Sequence, residues 1–401
     1  MPETIDALGG PLAFKFSAGD RKALLLTGEE GRDVVKVEAR QVHHHQKEAI
    51  VTDGAGGAAW RLPSDEGPQL SGTDLAPFPL GFFNAGLQSD LFQSIMRCSR
   101  KRAITIDDIE IDLINHYWVS GSFVKGTSTG HADAPDIEIR IQSAADNDTI
   151  AALVREAVLN SPAMSLLRQP LSNTFAIYIN GRRRQVEGVR NSEVQGIRDP
   201  YQVYTRPPRP LAGASTGDDL VVKTGTKEMG PSTPAPATVS GKVIRNVPGY
   251  GKWNKARGMW EVETWLALPG TSHFQICSSD GERDDAPSGF ALLAAGISFC
   301  YMTHLARFIQ HMKLPIHGVR LVQLNEFEFD AMGARVLPVD THLFLNGEAP
   351  EAVHCELLSN AARGCYLHAA SAASLEPQIK LLHNGTSVAA CDFQASLSGA
   401  K

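Results

Sequence analysis

From Phe290 to Tyr301 the chain is apolar almost without interruption, and a helix that is hydrophobic all round belongs inside a fold rather than on its surface. Segments of alternating character flank this stretch. Lys242–Arg245 and Trp260–Leu266 read as strands ahead of it, and Val319–Leu324 as a strand behind it. Earlier in the chain Phe78–Asp90, running on through Leu91–Arg97, predicts a second long apolar helix. It is preceded by strand-like Ala23–Leu26 and Val34–Glu38 and followed by Ile106–Ile111.

The two halves share a register. Gly86 and Gly296 stand 210 positions apart, as do Ile106 and Ile316; farther on, Asn180-Gly181 closes the strand-like Phe175–Ile179 and Asn384-Gly385 closes Ile379–His383, 204 apart. A near-constant offset at separate anchors marks an internal duplication. The drop from 210 to 204 assigns a six-residue excess to the first copy, in the polar stretch Lys125–Pro135. Each copy reads as strands, a long helix, two strands, a shorter helix and a strand, which is an α+β order. Residues 206–236, rich in Pro, Gly, Ser and Thr and without periodicity, read as a connector between copies at 1–205 and 237–401.

Composition adds limits. A 401-residue chain that is 43% hydrophobic has ample material for real cores. With 38 Lys+Arg against 44 Asp+Glu, the net charge of −6 lacks the basic footprint of a nucleic-acid or anionic-lipid binder. The N-terminus shows no basic segment followed by an apolar one, and Phe290–Met302 is too short to span a bilayer, so the expectation is a soluble cytoplasmic protein with no membrane partner. Six cysteines are too few for a disulfide scaffold; a pair that matters is redox-active or catalytic.

Two cysteines stand beside histidines. Cys300 and His304, four apart on the second apolar helix, share a face with Gly296, Ile297 and Arg307. Cys365 and His368 lie in Gly364-Cys365-Tyr366-Leu367-His368, with the cysteine at or near the start of the shorter helix, where the dipole favours a thiolate. Both spacings also suit zinc ligands. A buried histidine bonded to a carbonyl is the simpler reading, and neither metal nor cofactor is expected. Cys98, Cys277, Cys355 and Cys391 read as small core hydrophobes. His43–His45 fall in a strand-like segment, where neighbours face opposite sides, and read as a solvated face. Arg182–Arg184 read as a solvated hairpin tip, and Trp253, Trp260 and Trp265 as core filler. A cleft between the copies, lined by such aromatics and Phe290, would suit an apolar substrate.

The helix Leu-Leu-Ala-Ala-Gly-x-x-x-Cys ending at Cys300, the Cys-x-x-His at Cys365 and His368, and the loop Ser64–Gly67 running to Ser71–Pro77 together resemble the OsmC/Ohr family of osmotically induced and organic-hydroperoxide-resistance proteins. The resemblance implies two tandem OsmC-like domains forming a pseudo-dimer within one chain, with antiparallel sheets packed on central buried helices and a site at the interface between the copies. It further implies an antioxidant thiol peroxidase of the stress response: Cys300 attacks an organic hydroperoxide, Cys365 resolves the sulfenic acid, and a dithiol reduces the disulfide.

The copies differ at every one of these positions. By the offsets, Cys300 corresponds to Asp90, His304 to Ser94, Cys365 to Ser161 and His368 to Met164, which predicts one active site per chain. Family peroxidases carry a glutamate ten positions before the first cysteine, paired with an arginine; here Phe290 stands there, and Leu80 in the first copy. Arg257, Glu282 and Arg283 are the candidates to supply that pair. The residues alone leave two alternatives: a cysteine-nucleophile hydrolase or transferase, and a non-catalytic small-molecule binder. Further association of the fused chain is left open.

Overall fold

In the computed structural model, residues 4–8, 11–16, 32–53, 58–206, 208–210, 220–226, 238–239 and 242–388 are described; the strand expected at Ala23–Leu26, and Cys391, lie outside them. The first half forms α1 (Ile5–Leu8), β1 (Phe14–Phe16), β2 (Arg32–His43), β3 (Gln46–Asp53), β4 (Ala58–Ser64), α2 (Pro79–Lys101), β5 (Asp108–Ser120), β6 (Thr129–Gln142), α3 (Asn147–Leu159), α4 (Pro162–Arg168), β7 (Thr174–Ile179) and β8 (Arg182–Arg184). Short strands β9 (Val221–Thr226) and β10 (Thr238–Val239) follow. The second half forms β11 (Lys242–Asn254), β12 (Met259–Trp265), β13 (Ser272–Ser278), α5 (Gly289–His311), β14 (Ile316–Asp330), β15 (Gly333–Val336), β16 (Asp340–Gly347), α6 (Glu351–Gly364), α7 (Tyr366–Ala372), β17 (Gln378–His383) and β18 (Thr386–Val388).

These elements make an α+β fold with two mixed sheets, and each sheet is assembled from both halves of the chain. One runs β1-β4-β3-β2-β14-β16-β7-β8; the other runs β18-β17-β6-β5-β11-β12-β13-β9. The amino-terminal hairpins of each half therefore pair with the central strands of the other, β2 antiparallel to β14 and β11 antiparallel to β5. The same exchange closes the far side, where β16 runs parallel to β7 and β6 to β17.

The long helices α2 and α5 cross at the centre. Their contact needs glycine: a Cβ on Gly86 would come within 2.5 Å of the Leu293 backbone nitrogen, and one on Gly296 within 2.8 Å of the Phe83 nitrogen. Phe83 and Leu293 are themselves 210 apart, the same spacing as the two glycines. The Ser288 hydroxyl caps α5 by accepting from the Ala291 N–H at 3.1 Å. Every residue of α5 from Gly289 to Ala306 is buried. The helix as a whole is long and apolar enough to cross a membrane, but that window lies wholly inside the fold.

Four expectations from the sequence take a different form. The single shorter helix of each half is two helices. In the first half Pro162, which cannot donate to a continuing helix, begins α4 after a 72° bend. In the second, Cys365 is the extended break between α6 and α7, at φ −73° and ψ 118°. The connector is not without structure, because β9 extends the second sheet at β13. His43–His45 form the β2–β3 turn, with His44 at φ 49°, and His45 is buried rather than solvated. Arg183 is no solvated tip: its guanidinium donates to the carbonyls of Ser192, at 2.5 Å, and Val194, at 2.7 Å. The Asn-Gly signals do mark the β7–β8 and β17–β18 turns, with Asn180 and Asn384 at φ 48° and 50°.

Candidate active site

Cys300 lies at the edge of a cavity of about 260 Å³ between α5, the β4–α2 loop, β5 with its hairpin tip, and β11. Leu70, Phe78, Leu80, Val119, Val243 and Leu266 give it apolar walls; Glu66, Thr303, His304, Arg307, Arg245 and Tyr366 give it a polar end.

The structure brings the two cysteines together. Cys365 and His304 both act on the Cys300 thiol, and among the described residues His304 Nδ1 has no hydrogen-bond partner. A side chain at position 364 would press on the imidazole, since a Cβ there would sit 3.1 Å from His304 Nδ1. Cys365 is itself 3.3 Å from His368 Nδ1, and both cysteines are free thiols. Burial pushes the Cys300 thiol well above its ordinary range, the neighbouring Cys365 adds to this, and His304 opposes it. Burial also lowers His304, against the pull of Cys300, so the imidazole is neutral near pH 7 and free to accept a proton. His368 is lowered to about 4 by burial.

The groups beside the thiol come from the first half. Lys47 on β3 is fully buried; its ammonium donates to Thr303 Oγ1 at 2.8 Å and lies 3.7 Å from Glu66 Oε1. The Thr303 hydroxyl donates in turn to Glu66 Oε1 at 2.5 Å. Burial depresses Lys47, while Glu66 and Asp65 hold it up; burial raises Glu66, while Lys47 and Thr303 hold it down. The position of Glu66 is built by its own loop. The Asp65 carboxylate accepts from the N–H groups of Glu66 (2.8 Å), Thr73 (3.1 Å) and Leu75 (3.2 Å), folding residues 65–75 back on themselves.

Arg257, Glu282 and Arg283 lie elsewhere. Arg257 pairs with Glu261 at 2.8 Å, Glu282 with Arg100 at 2.8 Å, and Arg283 with Asp280 and Asp285. The loop carrying Glu282 and Arg283 sits on α2, where Gln93 Nε2 donates to the Ser279 carbonyl at 2.9 Å. Strand exchange sends the second half's loop to the first half's helix, and the first half's loop to Cys300. The acid and base beside the thiol are consequently Glu66 and Lys47. Their signal in the sequence was a lysine opening the strand-like run Lys47–Val51 and an acidic pair ahead of the loop to Pro77; neither is periodic.

The place on α2 that the offset of 210 matches to Cys300 holds no thiol. Asp90 and Ser161, at the positions of Cys300 and Cys365, are hydrogen-bonded to each other. Lys47 pairs with Ser64 in its sheet and Trp260 pairs with Ser278, and both serines lead into loops closed by the next residue's N–H on Pro77 or Pro287. Trp260 therefore stands where Lys47 stands, and it stacks on Phe92 with ring centroids 4.3 Å apart. Phe290 is core: it meets Phe327 edge to face at 4.8 Å. No group of three or more His, Cys, Asp or Glu side chains among the described residues is arranged to hold a metal ion.

No family model matches the chain and no curated protein matches it. Two solved chains match. One is described as an OsmC-like hydroperoxide resistance protein from Jannaschia sp. CCS1; it is 19% identical over 30% of this chain and 81% of that one, with a TM-score of 0.20.

Proposed function

We propose that the protein reduces small apolar organic hydroperoxides with the Cys300–Cys365 pair. The observation that carries the reading is a pair of free thiols that act on each other's charge, Cys300 lining an apolar-walled cavity together with His304, and Cys365 bonded to the neutral imidazole of His368. The OsmC/Ohr resemblance of the motifs around both cysteines supports it.

At rest Cys300 is protonated. His304 takes its proton, and the thiolate so formed is within the electrostatic reach of Lys47 and Arg307. Attack on the terminal peroxide oxygen forms the S–O bond and breaks the O–O bond; the alkoxide leaves as the alcohol with the proton from His304, and Cys300 becomes a sulfenic acid. Cys365 attacks that sulfur and expels water, giving the disulfide. An external dithiol reduces it by exchange, so one hydroperoxide and one dithiol yield one alcohol, one water and one cyclic disulfide. The five described cysteines are free, which suits a reducing cytoplasmic setting.

We further infer that residues 1–205 and 237–401 are duplicated copies of one domain joined by 206–236, a pseudo-dimer in one chain. The repeated element order, the offsets of 210 and 204 and the Gly86/Gly296 crossing support this. The first copy completes the site without thiol chemistry of its own.

Consumption of cumene hydroperoxide with dithiothreitol as reductant tests the reaction. Wild type should turn over. Cys300→Ser should not, and Cys365→Ser should consume about one equivalent per chain in the absence of dithiol, leaving a sulfenic acid that dimedone labels. Wild-type protein that consumes no hydroperoxide refutes the proposal.

A further inference from the structure

The cavity beside Cys300 has more positive charge than it needs for itself. Glu66 is its one lining carboxylate, and Lys47, at 3.7 Å, already compensates it. Two guanidinium groups remain, Arg245 on β11 and Arg307 on α5. Among the described residues neither has a carboxylate partner. Arg245 donates to its neighbour's carbonyl, that of Ile244, at 3.0 Å, and Arg307 lies over the Phe123 ring at 4.2 Å.

Both arginines are partly buried, and each lies in the other's field, which costs free energy unless an anion sits between them. Glu66 acts on Arg307 as well as on Lys47, so its single charge is shared among more than one cation; the other groups facing the arginines, His45, His304, Tyr366 and the protonated Cys300, carry no negative charge near pH 7. A planar guanidinium presents a fork of donors that matches a carboxylate. The walls beyond are apolar on the side of Leu70, Leu80, Val119 and Leu266.

We infer that Arg245 and Arg307 form an anion subsite that binds the carboxylate of an amphipathic ligand, whose apolar body fills the cavity next to Cys300. This rests on the reaction proposed above for its chemistry, and it narrows the substrate to an apolar hydroperoxide that carries a carboxylate. Binding itself needs no turnover, so the two can fail separately.

Calorimetric titration with octanoate and octan-1-ol, neither of them a peroxide, measures the subsite alone. Wild type should bind octanoate at least about tenfold more tightly than the alcohol, with the preference falling as salt is raised. Arg245→Gln and Arg307→Gln should each bring the two ligands to within about threefold, while Arg307→Lys, which keeps the charge and loses the fork, should retain part of the preference. Far-UV circular dichroism checks the fold of each variant; should the glutamine variants not fold, the wild-type preference, its salt dependence and Arg307→Lys decide. Equal wild-type affinity for acid and alcohol, no octanoate binding at millimolar concentration, or an unchanged preference in folded glutamine variants overturns the inference. Arginine-dependent octanoate binding without any hydroperoxide consumption would leave the subsite standing and remove the peroxidase reading.

Discussion

Lys47→Met removes one charge from a pair that is almost wholly enclosed: the two side chains are 1% and 7% exposed. Breaking a buried pair by deleting one partner typically costs about 3–5 kcal/mol, because the other charge is left without compensation. The lower end applies here, since Thr303 still donates to Glu66 and the direct separation in wild type is 3.7 Å. At an unfolding entropy of about 2.1 cal/mol/K per residue, about 3 kcal/mol in a chain of 401 residues lowers the thermal midpoint by roughly 3–4 °C. The deficit should depend on pH. Burial raises the folded-state pKa of Glu66 above its ordinary value, and Lys47 restrains that rise. A carboxyl raised on folding contributes stability that is present below its unfolded pKa and lost as pH climbs through the folded one. Without Lys47 the folded value rises further, so the variant should be nearly as stable as wild type at pH 5 and clearly less stable at pH 8. Adding Glu66→Gln removes the orphaned charge and should recover most of the loss, a positive coupling in a double-mutant cycle. Thermal midpoints of the four proteins from pH 5 to pH 8 decide it. A deficit that is flat in pH, or single-mutant losses that simply add, would refute the description of Lys47 and Glu66 as a compensated buried pair.

Asp90→Asn acts on the other half by the same logic. Burial raises the Asp90 carboxyl, against the Ser161 hydroxyl and the Ala163 N–H that hold it down, so its contribution is lost as pH rises. Asparagine keeps an acceptor for the Ala163 N–H, 3.0 Å away; the variant should gain on wild type at pH 8 and lose that gain toward pH 4, and a midpoint difference independent of pH would count against the assignment. Gly296→Ala drives a methyl to 2.8 Å from the Phe83 nitrogen and 3.0 Å from the Pro79 carbonyl, both backbone. Overpacking of this kind costs about 1–3 kcal/mol, readable by urea unfolding, whereas Gly385→Ala, with open space around its Cβ, should lose only the cost of its left-handed turn.

What the sequence made legible was whatever depends on short-range spacing. The all-apolar run from Phe290 marked α5, the i,i+4 spacing put Cys300, His304 and Arg307 on one face, and the cavity is lined by all three. Gly86 and Gly296, which mark the shared register of the halves, turn out to be the two close-approach points of the helix crossing. Lys47 and Glu66 escaped the same reading because they lie more than two hundred positions before Cys300 and reach it through β-strand pairing, for which no local period exists. The substitutes chosen by proximity in sequence, Arg257, Glu282 and Arg283, were wrong in place for the same reason: their loop crosses to α2. The break at Cys365 was half visible. A helix start was expected there, but not the end of another, although Gly364 is a residue type that commonly ends helices, as Pro162 marks the break in the first half.

The strand exchange also bears on why one half can lack the thiol pair and yet be needed for the site. At the positions that the offsets match to Cys300 and Cys365, the first half has the hydrogen-bonded Asp90 and Ser161, and Trp260 of the second half stacks on Phe92 of the same helix. The first half still supplies Lys47, Glu66, Phe78, Leu80, Val119 and Phe123 to the site around Cys300. The second half supplies the thiols, on α5 and at the α6–α7 break, while its own loop at 279–288 sits on α2. A chain divided like this cannot be halved: neither half contains both a thiol and the groups that surround it, and each central strand would lose the hairpin that pairs with it.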